Sequence, residues 1–158
     1  MALCSIKGIL PGSIERRYKN SGYPPFTGRV SAVSDERIVF GKQGEEIARE
    51  HVRRLGYRIL ASNYKTKIGE IDIVAQDKDA LVFIEVKTRS TDCLGVPAEA
   101  VTAFKQRQIA KVALGYLKEN KMFDAKARFD VVSVNFSQRP PAVDLFKNAF
   151  ELDARFTY

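Results

Sequence analysis

Two short apolar runs with charges in their middles restrict this chain more than anything else in it: Gly69-Glu-Ile-Asp-Ile-Val-Ala75 and, after a polar gap, Val82-Phe-Ile-Glu-Val-Lys-Thr-Arg89. Each is short, rich in β-branched residues and suited to a strand. Side chains alternate across a strand. The first run therefore puts Glu70, Asp72 and Val74 on one face and Ile71, Ile73 and Ala75 on the other. The second puts Phe83, Glu85 and Lys87 on one face and Val82, Ile84 and Val86 on the other. Each strand has a wholly apolar face and a face with ionisable groups at its centre or exit. The link Gln76-Asp-Lys-Asp-Ala80 is short and polar, which suits an antiparallel hairpin. On one hairpin surface the charged faces lie side by side, and Asp72, Glu85 and Lys87 meet. Charges are rarely buried unless they are paired or bind a metal.

The rest of the chain supplies what such a hairpin needs around it. Residues 1–40 hold several glycines and prolines with scattered basic residues and no lasting periodicity. They read as a poorly ordered basic arm, which either touches phosphates or is dispensable. The compact domain is expected over 41–158. A helix is expected over 43–55, with Ile47, Ala48, Val52 and Leu55 as its apolar stripe and Gly56 as its stop. A strand over 57–61 follows, then the hairpin, then a helix over about 98–119 with Ile109, Val112, Ala113, Tyr116 and Leu117 inward. Another strand covers 128–134, and a last strand or short helix lies between 144 and 152, after the break at Pro140-Pro141. This order predicts an α/β fold, a small mixed sheet flanked by helices.

Bulk properties narrow the function. The 158 residues suffice for one domain with its own core. No apolar run is long enough to span a bilayer, and Lys7 interrupts the weak apolar stretch at the start. The expectation is a cytoplasmic protein with no membrane partner. Cys4 and Cys93 fit no metal-ligand spacing and should be free thiols there. His51 is the sole histidine, which excludes a histidine-based metal site or triad. A net charge of +7 favours nucleic acid as partner, or else a solvated basic surface.

A carboxylate pair from adjacent strands is a hard-oxygen site, the kind Mg²⁺ or Mn²⁺ prefers. Asp72 and Glu85 supply two of the oxygens, leaving the others to water and a substrate phosphate. Lys87, on the face of Glu85, is placed to hold water or offset phosphate charge. The competing account is an ion-paired hairpin in which Lys87 only neutralises the carboxylates. On the first helix, Glu45 lies three and seven residues before Ala48 and Val52, on the apolar stripe, whereas Glu46 lines up with Glu50 and Arg53. Glu45 is therefore the inward one.

In chain order, Gly41-Lys-Gln-Gly-Glu45, Gly69-Glu-Ile-Asp72, Val82-Phe-Ile-Glu-Val-Lys-Thr-Arg89, Ala98-Glu-Ala-Val101 with Lys105, and Arg128-Phe-Asp-Val131 resemble the PD-(D/E)XK nuclease superfamily. Within it they resemble the small bacterial YraN-like family, which is similar to archaeal Holliday junction resolvases. The superfamily's Pro-Asp is Ile71-Asp72 here, as is common in this branch. The resemblance implies a restriction-endonuclease-like core, metal on Asp72, Glu85 and the backbone carbonyl of Val86, Lys87 as the catalytic lysine, and Glu45 leaning in from the first helix. It further implies a metal-dependent endonuclease acting on DNA, branched DNA included. The alternative is a non-catalytic nucleic-acid-binding protein of the same fold. DNA versus RNA stays open, as does a homodimer, which a two-fold substrate would demand.

Further polar residues surround this set. Lys65, Lys67, Arg89, Lys105, Gln108 and Lys111 are the candidate nucleic-acid contacts. For Lys105, Gln108 and Lys111, which share a side of the second helix, a solvated face is the favoured alternative. Glu70 either joins the site or pairs with Arg89, and pairing is favoured. His51 is expected to be partly buried packing, and Asp130 an edge salt bridge.

Overall fold

The computed structural model describes residues 33–89 and 101–151. The elements run α1 (Val33–Arg54), β1 (Arg58–Lys65), β2 (Glu70–Asp77), β3 (Ala80–Arg89), α2 (Ala103–Glu119), β4 (Lys126–Asn135) and β5 (Ala142–Phe146). The strands form one sheet in the order β1-β2-β3-β4-β5. β3 and β4 are parallel and every other pair is antiparallel, so the sheet is mixed. A parallel pair needs a crossover, and α2 is that crossover. The α/β nuclease-like architecture is as expected. The last element is a strand rather than a helix. Among the described residues no helix is long and apolar enough to cross a membrane.

Each face of the sheet carries a core. Under α1, Ile47, Ala48 and Val52 pack on Ile73, Ala75, Val82, Ile84, Val132 and Val134. Under α2, Ile109, Val112, Ala113 and Tyr116 pack on Val74, Phe83, Phe129 and Val131. Fully burying a side chain of this size stabilises by roughly 1.5–3 kcal/mol, so the central strands are held firmly from both sides. Leu55, expected on the inner stripe, is half exposed, because α1 ends at Arg54.

Three features differ from the sequence expectation. Helix α1 begins at Val33 rather than near residue 43, so position 40 lies within it. Phe40 packs partly against the core, edge-on to Phe136 with ring centroids 5.4 Å apart. Gly41 and Gly44 look like helix breakers, yet both sit inside α1. Gly44 is there because a Cβ would lie 1.9 Å from Thr88 Cγ2, so only glycine lets α1 rest directly on the end of β3. The second difference is Ile71, which packs in the core under α2 instead of joining Ile73 and Ala75. The β2–β3 ladder is registered from Ile73↔Ile84 to Asp77↔Ala80. Next to its end, Asp72 Oδ2 accepts the Val86 N–H at 2.7 Å, and a side chain takes the place of the ladder. The third is α2, which starts at Ala103; the segment 90–100, with the expected helix start at 98, lies outside the described residues, as does the arm up to residue 32.

Candidate active site

The site forms where β2 leaves β3. Asp72 is half-buried and Glu85 is only 4 % exposed. One oxygen of Glu85, Oε1, accepts from Lys87 Nζ at 2.9 Å and faces Lys105 Nζ at 3.3 Å. The other, Oε2, is buried and has no hydrogen-bond partner. An unsatisfied buried polar atom costs about 1–3 kcal/mol, and more when charged. The carboxyl of Asp72 is pushed well above the ordinary carboxylate range, first by burial and then by the negative charge of Glu85. The Val86 N–H and the Lys105 ammonium oppose that rise, and Glu45 adds to it. Asp72 thus lies close to Glu85, and Glu85 holds Lys87 two residues along its own strand, although the alternation of β2 is interrupted at Ile71.

Glu45 approaches from α1. Its side chain is 23 % exposed against 45 % for Glu46, which makes it the more inward of the two. It lies 3.8 Å from Arg49, which also binds Glu46, and its charge is felt at both Asp72 and Lys65. The close seat of Gly44 on Thr88 fixes where Glu45 starts.

The donor set suits a divalent cation. Two like-charged carboxylates, one with a bare buried oxygen, match a small hard ion better than they match each other. Among the described residues no group of three or more His, Cys, Asp or Glu gathers around one point. Protein side chains would therefore give two ligands, with backbone carbonyl, water and substrate completing the shell. That division is typical of Mg²⁺ and foreign to a zinc cage. Val86, whose N–H binds Asp72, sits directly after Glu85, so its carbonyl is the natural third ligand to test.

The other candidates are placed variously. Lys65 binds Glu70 at 3.0 Å across their paired positions. Lys67 and Lys111 are exposed. Gln108 Nε2 donates to Ile68 O at 3.3 Å and ties α2 to the β1–β2 turn. Arg89 is half-buried, and its carbonyl accepts from Phe136 N at 2.7 Å. Lys105 departs from the solvated face favoured for it and stands at Glu85. Nothing local in the sequence announces this, because it depends on how α2 docks. His51 is half-buried as expected, and burial lowers its pKa.

Asp130 is a correction. It is 1 % exposed and central, because β5 and not β4 forms the sheet edge. Arg128 binds it through Nε at 2.9 Å and Nη2 at 3.1 Å, the Asn148 N–H at 2.9 Å, and Tyr57 OH at 3.4 Å. Arg128 also reaches Asp77 at 2.8 Å, and Lys147 reaches Asp77 at 3.2 Å. This network joins the far ends of β2 and β4, away from the ladder end at Asp72. Its parts are Arg128 and Asp130, which share a strand face with Val132; that spacing was the available sign.

Residues 44–134 match the uncharacterised protein family UPF0102. The chain is 49 % identical over 112 residues to a UPF0102 protein of Geobacter metallireducens, spanning 71 % of this chain and 92 % of that one. It is 49 % identical over 124 residues to one of Geobacter sulfurreducens, spanning 78 % and 97 %. A third, from Desulfosudis oleivorans, is 45 % identical over 117 residues, spanning 74 % and 94 %. The matched span contains Glu45, Asp72, Glu85, Lys87 and Lys105. The chain belongs to the UPF0102 family, the YraN-like group of PD-(D/E)XK nuclease-like proteins.

Proposed function

We propose that this protein is a metal-dependent endonuclease that hydrolyses phosphodiester bonds in DNA, branched DNA included. The observation that carries the proposal is the buried, partnerless Oε2 of Glu85 beside an Asp72 whose carboxyl is driven upward by the same crowding. Asp72, Glu85 and the Val86 carbonyl would hold Mg²⁺ or Mn²⁺. A cation held there would supply charge neutralisation at the phosphate and activation of water. Lys87 orients the attacking water and offsets charge as the water oxygen bonds to phosphorus. The bond from phosphorus to the sugar oxygen breaks, and the water's proton passes by solvent to that leaving oxygen. Glu45 adds a third carboxylate at the margin. Lys67 and Lys111, both exposed, and Gln108 would contact the backbone from α2 and the β1–β2 turn, and Lys65 and Arg89 from the strands. Contacts of this type fix register on the backbone without reading sequence. The place of action in this proposal is the cytoplasm, and a two-fold substrate would call for a homodimer.

A second reading is favoured by one observation: Lys87 and Lys105 already neutralise Glu85. A non-catalytic nucleic-acid-binding protein would need no more than that. The deciding experiment is cleavage of linear, flapped and four-way DNA with Mn²⁺, beside Asp72→Ala. Cleavage lost in the variant supports the endonuclease. Binding without cleavage of any substrate by the wild type supports the second reading.

A further inference from the structure

Lys105 is not an ordinary surface lysine. Its backbone N–H is fixed by the side chain of Thr102, which caps α2 and accepts it at 3.3 Å. The segment before it is anchored by the buried Val101, whose carbonyl accepts from Gln106 Nε2 at 2.9 Å. From this pinned first turn the ammonium reaches Glu85 Oε1 at 3.3 Å, beside Lys87 at 2.9 Å, and its side chain is only 28 % exposed. Two cations share one oxygen while the other oxygen of the same carboxylate has none.

The charge balance gives this arrangement a use. Both ammonium groups are paired to Glu85, one more positive charge than its carboxylate needs, and the charge of Lys105 is also felt at Asp72. Adding a divalent cation there leaves positive charge in excess. A phosphodiester carries one negative charge and gains a second as water adds to phosphorus, so it can take up that excess. Once a cation satisfies Glu85, its hold on a second ammonium weakens, and Lys105 is the longer and less direct of the two contacts. Lys87 is bound on its own strand; Lys105 arrives on a separate helix whose exposed neighbours, Arg107 and Lys111, are also basic.

We infer that Lys105 is a transferable cation of this site, which neutralises Glu85 before metal binds and a non-bridging phosphate oxygen of the nucleic acid afterwards. This rests on the endonuclease proposal and adds to it a second substrate-touching lysine, delivered by α2. A plain tether between α2 and β3 would use the same contact without the exchange.

The two roles separate when metal affinity and rate are read independently on the full chain. The probe is Mn²⁺ alone, titrated by calorimetry, followed by single-turnover cleavage of DNA at saturating Mn²⁺. Lys105→Met keeps the stem and removes the charge. Because a competitor for Glu85 is gone, Mn²⁺ should bind several-fold tighter, while cleavage slows at least about tenfold. Lys105→Arg should stay near the wild type in both. Unchanged or weaker Mn²⁺ binding by Lys105→Met overturns the inference, and so does unchanged cleavage. If Lys105→Met does not fold, Lys105→Gln is read in the same way; failure of both to fold shows a tether and overturns it too. A wild type that cleaves alongside an equally active Lys105→Met removes Lys105 alone. A wild type that binds Mn²⁺ but cleaves nothing removes the endonuclease proposal and this inference with it.

Discussion

Two glycines three residues apart in one helix should respond to alanine with opposite signs. At Gly41 a new Cβ meets nothing within 4 Å, so only helix propensity changes. Gly41→Ala should stabilise by about 0.8–1 kcal/mol. At Gly44 the same Cβ would fall 1.9 Å from Thr88 Cγ2 and 3.4 Å from Thr88 Cβ. The threonine must rotate or α1 must lift from β3, and overpacking of this type costs roughly 1–3 kcal/mol. Subtracting the propensity gain, Gly44→Ala should be destabilising by up to about 2 kcal/mol. Thr88→Ser removes the obstructing methyl, so in that background Gly44→Ala should lose most of its penalty. Urea unfolding of the four variants and the wild type, with equal m-values, measures all of this. Equal stabilisation at both glycines would refute the close seat of α1 on β3, and with it the account of how Glu45 is placed.

Two further outcomes follow from the site and the far network. Lys87→Met, with Mn²⁺ present, should bind DNA nearly as well as the wild type and melt at nearly the same temperature, yet cleave at least about tenfold more slowly; unchanged cleavage would remove Lys87 from the mechanism. Arg128, with help from Lys147, holds the Asp77 carboxyl down at about 2, against an unfolded value of about 4. A depressed carboxylate adds stability above its unfolded value and loses it as pH falls through its folded one. The wild type should therefore lose stability between about pH 4 and pH 2 by an increment absent from Asp77→Asn, and parallel curves for the two would contradict the pairing.

What the sequence disclosed depended on how local each determinant is. Asp72, Glu85 and Lys87 were legible because strand alternation and a short turn bring them together without help from elsewhere. The two-layer cover was legible from Ile47, Ala48 and Val52 on one helix and Ile109, Val112, Ala113 and Tyr116 on the other. Ile71 was misplaced because Asp72 takes over the bond of Val86 and ends the regular ladder, which a period-two pattern does not encode. The start of α1 was missed because Gly41 weighs against a helix; Gly44, inside the expected helix, is explained only by the approach of Thr88. Lys105 and Asp130 were assigned to ordinary surface roles for one shared reason. The partner of Lys105 is Glu85, 20 residues away, and the burial of Asp130 depends on which strand forms the edge, so tertiary packing decides both.

The claim that Asp72 and Glu85 together form a cation site is tested most directly by calorimetric titration of Mn²⁺ into the wild type and into Asp72→Ala/Glu85→Ala, both confirmed folded. Saturable binding to the wild type, weakened by either single change and absent from the double variant, is the predicted result. Equal affinity in the wild type and the double variant would contradict it.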